Sequence, residues 1–339
     1  MTDMFKKAAV FTDIHFGMRQ NSKTHNDDCL SFVKWFCAEA TRQGCDTAIF
    51  QGDWHHHRAT VNVSTLNYTV DAIDYISKHF ERFFFIPGNH DLYYREKRDL
   101  TSIPFIRNQK NVILVNDIYT EGDVSLVPWL VGEEWTSMKR LTSRYVFGHF
   151  ELPNFKMNAM VEMPDHGGLN RGHFPNQEKV FSGHFHMRQH SGNVTYIGNA
   201  FPHNYADAWD DDRGMMVLEF GGQPQYIAWP DAPKFKTLDL TRLIDDPTKY
   251  MDKNTFLRVT CDADISFEEA TFLKENWQEE YQLREITLIP AKREEHAQDW
   301  SGDVHFESVD QIVVQQLTAI ESDVVDRQTL IDIYNGLHV

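Results

Sequence analysis

Five short clusters in this chain carry the side chains that divalent cations prefer: Asp13-Ile14-His15, Gly52-Asp53, Gly88-Asn89-His90-Asp91, Gly148-His149 and Gly183-His184-Phe185-His186. Each follows a run of apolar residues. A lone Asp-x-His or Gly-Asp arises easily by chance, and Gly-His-x-His also suits an ordinary turn. Five together, in this order and each at the end of an apolar run, point to a metal centre. Imidazole, carboxylate and carboxamide oxygen suit a borderline divalent ion. Two such ions about 3.5–4 Å apart can clamp the attacking and leaving oxygens of a phosphoester, provided one anionic ligand bridges them.

Groups so far apart in sequence meet only if the apolar runs are strands of one architecture. Residues 8–11, 48–50, 83–86, 145–147 and 180–182 read as buried strands, and in open α/β sheets ligands sit beyond the carboxyl ends. Residues 27–42 place Leu30, Val33, Phe36, Cys37 and Ala40 on one helical face, and residues 64–78 repeat the pattern with Leu66, Val70, Ile73 and Ile76. Strand, helix, strand at this spacing predicts a doubly wound, parallel sheet. Beyond residue 110 the strands shorten and crowd, at 112–115, 124–127, 144–147, 179–182, 194–197, 215–220 and 225–229. That pattern predicts a second sheet, largely antiparallel, packed on the first. The insert 151–177, rich in Pro and Gly, is expected as a loop over the site mouth or as a solvated connector.

At 339 residues the chain exceeds one core. Residues 1–232 read as the main domain and 233–291 as a small α/β cap, with Ser266-Phe267-Glu268-Glu269 opening a helix as a capping box. A polar linker at 292–305 precedes two amphipathic helices at 306–339, which either dock on the body or bind a partner. No apolar stretch approaches the ~20 residues of a membrane helix and no leader is evident, so a soluble, cytoplasmic protein is expected. Cys29, Cys37, Cys45 and Cys261 lack metal-binding spacing and read as buried, reduced thiols. The net charge of −17 is unlike that of most nucleic-acid binders.

The motif series D-x-H, G-D, G-N-H-D, G-H, G-H-x-H resembles the calcineurin-like metallophosphoesterases. The resemblance implies an α/β two-sheet metallophosphoesterase sandwich flanked by helices. It further implies that Asp13, His15 and His186 hold one cation, that Asn89, His149 and His184 hold the other, and that Asp53 bridges them, with manganese (Mn2+) as the expected ion. His90 matches the family's non-ligand histidine, which stabilises the transition state or protonates the leaving oxygen. Asp91 is expected to orient that imidazole, and His56 matches a histidine placed near the scissile phosphate in related DNA nucleases.

Protein phosphatases of this family carry G-D-x-x-D-R-G, whereas this chain reads Gly52-Asp53-Trp54-His55-His56-His57-Arg58 and lacks the Asp-Arg pair. It is more similar to SbcD-type nuclease subunits, including those of T-even phages, with Asn199 standing where relatives usually have Ser or Thr. That subfamily implies a double-strand exonuclease and single-strand endonuclease acting by two-metal, in-line hydrolysis in recombination, repair and replication. It would work as a homodimer within a heterotetramer, with an SbcC-like coiled-coil ABC ATPase docked on the terminal helices. Much of the DNA grip would then come from the ATPase and the cations, which accommodates the acidic balance. A small-molecule or nucleotide phosphodiesterase or phosphatase of the same family is the alternative. A scaffold that has lost catalysis is a second, disfavoured because no ligand is missing.

Overall fold

The computed structural model describes residues 4–157, 161–263 and 265–290, together with Thr329. The expected linker (292–305) and terminal helices (306–339) lie outside the described residues, apart from that one residue. Four parallel strands, Lys7–Phe11, Thr47–Phe50, Arg82–Phe85 and Val112–Leu114, form the spine of a six-stranded sheet. Gly214–Glu219 and Gln225–Ala228 extend it antiparallel beside the first strand. Period-two alternation sorts its side chains. Ala9, Phe11, Ala48, Phe50, Phe83 and Phe85 face the helices. Ala8, Val10, Ile49 and Phe84 face the second sheet, where Val124, Leu126, Tyr145, Phe147 and Phe181 complete an inter-sheet core.

The second sheet runs Gln189–Ser191, Val194–Tyr196, Lys179–Gly183, Tyr145–His149, Val124–Val127, Tyr119–Glu121. Its four inner strands are parallel, and only the two edges pair antiparallel. The expectation of a largely antiparallel sheet therefore fails. So does the placing of strands 112–115, 215–220 and 225–229 in it, because those belong to the first sheet. Among the described residues the crossovers contain short 3-10 turns such as Glu134–Arg140 rather than amphipathic helices, so the usual sequence mark of a parallel unit is missing.

Helix α1 (Lys23–Arg42) starts earlier than expected because the Ser22 side chain accepts the His25 amide as an N-cap. It buries Cys29, Phe32, Val33, Phe36, Cys37 and Ala40 against the sheet. Helix α2 (Val63–Ser77) is rotated from its expected face. Leu66 and Val70 are 37% exposed, whereas Thr65 and Thr69 are buried. Polar partners cause the rotation: Thr65 takes the Asn26 amide at 3.0 Å, and Thr69 Oγ1 lies 3.0 Å from His55 Nε2. All four cysteines are free, and burial pushes the Cys37 thiol up to about 12, which keeps it protonated and unreactive.

His55 is buried, with Ser102 Oγ at 2.8 Å on its other nitrogen. Burial drops its pKa from 6.5 to about 4. Its neutral form thus contributes stability that is complete above pH 6.5, declines as pH falls, and is gone below about 4. The contribution is about 3 kcal/mol. Denaturant titrations of metal-free protein should show this decline, and His55→Gln, which cannot titrate, should flatten it. Equal slopes for the two proteins would contradict the assignment.

Beyond the sandwich, Lys234–Asp239, Thr255–Cys261 and Glu285–Pro290 form a parallel three-stranded sheet. Helix α3 (Phe267–Glu280) packs on it, opened by the expected Ser266–Glu269 capping box. Leu238, Leu257, Val259, Trp277 and Ile286 form its own core. Arg284 reaches Asp28 of α1 at 2.6 Å. Arg19 donates to the His203 carbonyl at 2.7 Å while its guanidinium covers the Phe256 ring at 4.4 Å. Among the described residues no helix is long and apolar enough to cross a membrane.

Candidate metal centre

Strands from both sheets end at one place. Asp13 and His15 follow Lys7–Phe11, Asp53 follows Thr47–Phe50, Asn89 follows Arg82–Phe85, His149 closes Tyr145–His149, and His184 and His186 follow Lys179–Gly183. All seven expected ligands converge there. Asp13, His15 and His186 form one group, and Asp53, His149 and His184 another, with the donor atoms of each group within 4.8 Å of one another. Asn89 Oδ1 joins the second group, 3.1 Å from His149 Nε2 and 2.9 Å from His184 Nδ1. Asp53 lies between the groups: Oδ1 is 3.5 Å from His149 Nε2, and Oδ2 is 3.7 Å from His15 Nε2.

These separations fit cations. Ligands at roughly 2.0–2.2 Å from one ion stand about 3–3.5 Å apart. His15 Nε2 and His186 Nε2 face each other at 3.2 Å, where two lone pairs repel unless a proton or a cation lies between them. The donor set is oxygen and imidazole with no thiolate, which suits a divalent ion. His149 Nδ1 donates to the Gln51 carbonyl at 2.6 Å, fixing the tautomer that turns Nε2 inward.

Backbone strain marks the same residues. Asp13, His15, Asp53 and His184 have φ of 49°, 52°, 63° and 91°, a left-handed region that costs ordinary residues roughly 1–3 kcal/mol each. The surrounding packing holds them there. At Gly88 an added Cβ would run into the Asp53 carboxylate. Gly88→Ala should therefore displace the bridging group and lower turnover on the order of 10²-fold, the usual penalty for a misplacement of about 1 Å. An unaltered rate at saturating metal would show that Asp53 need not sit where it does.

Electrostatics agree. Burial works against charge on both Asp53 and His149. Their mutual attraction prevails, raising His149 to about 9 and holding Asp53 well below the ordinary carboxylate range. In the absence of metal, a proton on His149 thus occupies the negative well between the two groups. Burial, then the neighbouring His90 and His57, lowers His56 to about 4, so that imidazole is neutral at pH 7.

His90 and His56 stack with ring centres 5.7 Å apart and planes 16° from parallel, and the His15 ring is within 5.4 Å of both. His90 Nδ1 donates to the His56 carbonyl at 2.7 Å, leaving Nε2 for a substrate. Asp91 does not orient His90, contrary to expectation. Its fully buried carboxylate accepts backbone N–H groups from Gly88, Asp53, Trp54 and His55 at 2.9, 2.9, 2.9 and 3.3 Å. It ties the Gly52-Asp53 turn to the Gly88-Asn89 turn. Burial and the charge of Asp53 push the Asp91 carboxyl up to about 7, against the pull of those amides.

Two participants escaped the sequence reading. Glu151 lies 3.4 Å from His184 Nε2 and pairs with Arg95 at 2.9 Å; its position two residues after His149 was the available signal. His203, 1% exposed, packs edge-on to His15 and His186 with both ring nitrogens unpartnered among the described residues. No motif pointed to it.

A carboxylate placed between two groups that could each hold a cation, at the strand ends of an α/β two-sheet sandwich, is the arrangement of a two-cation site. The chain belongs to the calcineurin-like phosphoesterase family, which it matches over residues 6–229. The family is one of phosphoesterases that bind divalent metals. The chain is 24% identical over 216 residues to Exonuclease subunit 1 of Enterobacteria phage T4, an alignment covering 61% of this chain and 62% of that protein. It thus spans less than two-thirds of that relative's length. It is 24% identical over 287 residues to Putative phosphoesterase 244L of Invertebrate iridescent virus 6, covering 76% of this chain and 94% of the relative. Among solved structures, the nuclease MPE of Pseudomonas putida aligns over 53% of this chain and 61% of its own, at 17% identity and a TM-score of 0.30.

Proposed function

We propose that the chain is a metal-dependent DNA nuclease, acting as a double-strand exonuclease and single-strand endonuclease with manganese, and as one subunit of an SbcCD-like complex. The observation that carries this reading is the stacked His56–His90 pair beside the bridging Asp53, at the place where phosphatases would carry the missing Asp-Arg pair. The name of the T4 relative supports it. Asp13, His15 and His186 would hold one cation, Asn89, His149 and His184 the other, and Asp53 would serve both. Bound there, divalent ions neutralise phosphate charge and make water a better nucleophile.

The chain's own residues supply the remaining steps. The Asp91 carboxylate fixes the two turns that present Asp53 and Asn89, and the Gln51 carbonyl sets the His149 tautomer. His90, anchored through its Nδ1–H, would as the imidazolium pass its Nε2 proton to the departing sugar oxygen. The acidic chain would depend on its cations and on a coiled-coil ABC ATPase, docked on the terminal helices, for much of its hold on DNA. A homodimer within a heterotetramer completes the proposal. Labelled duplex and single-stranded DNA, incubated with MnCl2 with and without the cognate ATPase, test it. Cleavage is expected in both settings and faster with the ATPase. Hydrolysis of a nucleotide ester with no attack on any DNA would favour the small-molecule phosphodiesterase instead.

A further inference from the structure

We infer that the cavity between Trp129 and Trp135, beside His149, takes the nucleobase of the nucleotide flanking the scissile phosphate; this rests on the nuclease reading and names a substrate subsite within it. The cavity holds about 170 Å³. That is below the roughly 300–1,000 Å³ of sites for whole drug-sized ligands, so it admits one planar ring system rather than an entire nucleotide. Trp129, Trp135, Met163 and Leu169 line it together with the polar His149 and Glu151. The Trp129 ring centre is 5.2 Å from that of His184 and 6.0 Å from that of His149. A ligand that fits is therefore flat and apolar at one end and reaches the cation-binding groups at the other, as a base and its phosphate do.

The aromatic walls are set in advance. The Trp129 amide donates to the Pro87 carbonyl at 2.9 Å and its indole N–H to the Arg95 carbonyl at 3.2 Å. The Arg95 guanidinium lies over the same indole at 5.5 Å and is held in turn by Glu151. Trp135 is braced by His173, whose ring lies nearly perpendicular to it with ring centres 5.1 Å apart. Trp129, buried beneath Arg95, thus closes one wall, and a rigid π-face such as that of Trp135 binds unstacked bases with little regard to sequence. A base paired within a duplex cannot enter such a cavity without leaving the stack, whereas a frayed end or a single strand already presents one. The insert 151–177, which carries Met163 and Leu169, thereby acquires a role in selecting unpaired nucleotides.

The test uses the full chain with MnCl2 on single-stranded oligonucleotides that are either intact or carry one abasic residue at a mapped cleavage position. Trp135→Ala removes a wall. Gly168→Phe places a bulky ring at a lining position where an added Cβ meets nothing within 4 Å. Losing one stacked base predicts a rise in KM of roughly 5- to 150-fold for each variant, with a much smaller change in kcat and unchanged metal content. Wild-type protein should cut poorly at the abasic linkage, and Trp135→Ala should treat the two linkages alike. If wild-type protein cleaves both equally, or both variants keep the wild-type KM, the subsite is wrong and the nuclease reading survives. Wild-type protein inert on every oligonucleotide would remove both.

Discussion

His90→Ala is expected to keep its full complement of cations and to lose roughly 10²- to 10⁴-fold in turnover on DNA. The imidazole is not among the seven residues of the two candidate cation-binding groups, and its Nδ1 is committed to the His56 carbonyl at 2.7 Å. Removing it leaves the His90 amide free to keep its 2.8 Å bond to Asp53 Oδ1, so the bridging carboxylate stays in place. On the proposed mechanism, what disappears is a proton donor for the leaving oxygen. The loss should accordingly shrink on a p-nitrophenyl diester, whose leaving group departs without protonation. Metal content measured beside kcat on both substrates separates these effects. Normal kcat on DNA would take His90 out of the mechanism, and an equal loss on both substrates would make it a charge stabiliser instead of an acid.

The second large effect concerns folding. Asp91→Ala removes the acceptor of four buried backbone N–H groups at once. An unsatisfied buried donor costs roughly 1–3 kcal/mol, so even the low end gives about 4 kcal/mol, a large share of a typical domain's stability. Relief of a buried carboxylate beside Asp53 trims the upper end of that range. Asp91→Asn keeps one carbonyl oxygen but turns an NH2 group toward amide donors, and it should fall between the two. Urea midpoints of metal-free protein decide the matter. A loss below about 1 kcal/mol for Asp91→Ala would mean that the two turns do not need their shared carboxylate.

These two neighbours show what was legible in the chain and what was not. The convergence of the seven residues could be read because each ends an apolar run, and strand ends in such sheets converge whatever the connections are. His90 stood out for the same reason. The role of Asp91 could not be read, because a carboxylate beside a histidine looks the same whether it faces the imidazole or four amides of two distant turns. The rotated face of helix α2 is a similar case. Leu66 and Val70 outweigh Thr65 and Thr69 on any hydrophobic scale, but the threonines satisfy Asn26 and His55, and polar satisfaction prevailed. The parallel second sheet was missed because its crossovers lack helical periodicity. Glu151 and His203 lie beyond the motifs, and only the fold brings them to His184 and His186.

The most direct test of the shared-carboxylate centre is anomalous diffraction from crystals soaked in MnCl2. Two peaks about 3.5–4 Å apart are predicted, one bounded by Asp13, His15 and His186, the other by Asn89, His149 and His184, with one oxygen of Asp53 turned to each. A single peak, or a pair that leaves Asp53 to one side, would contradict the account.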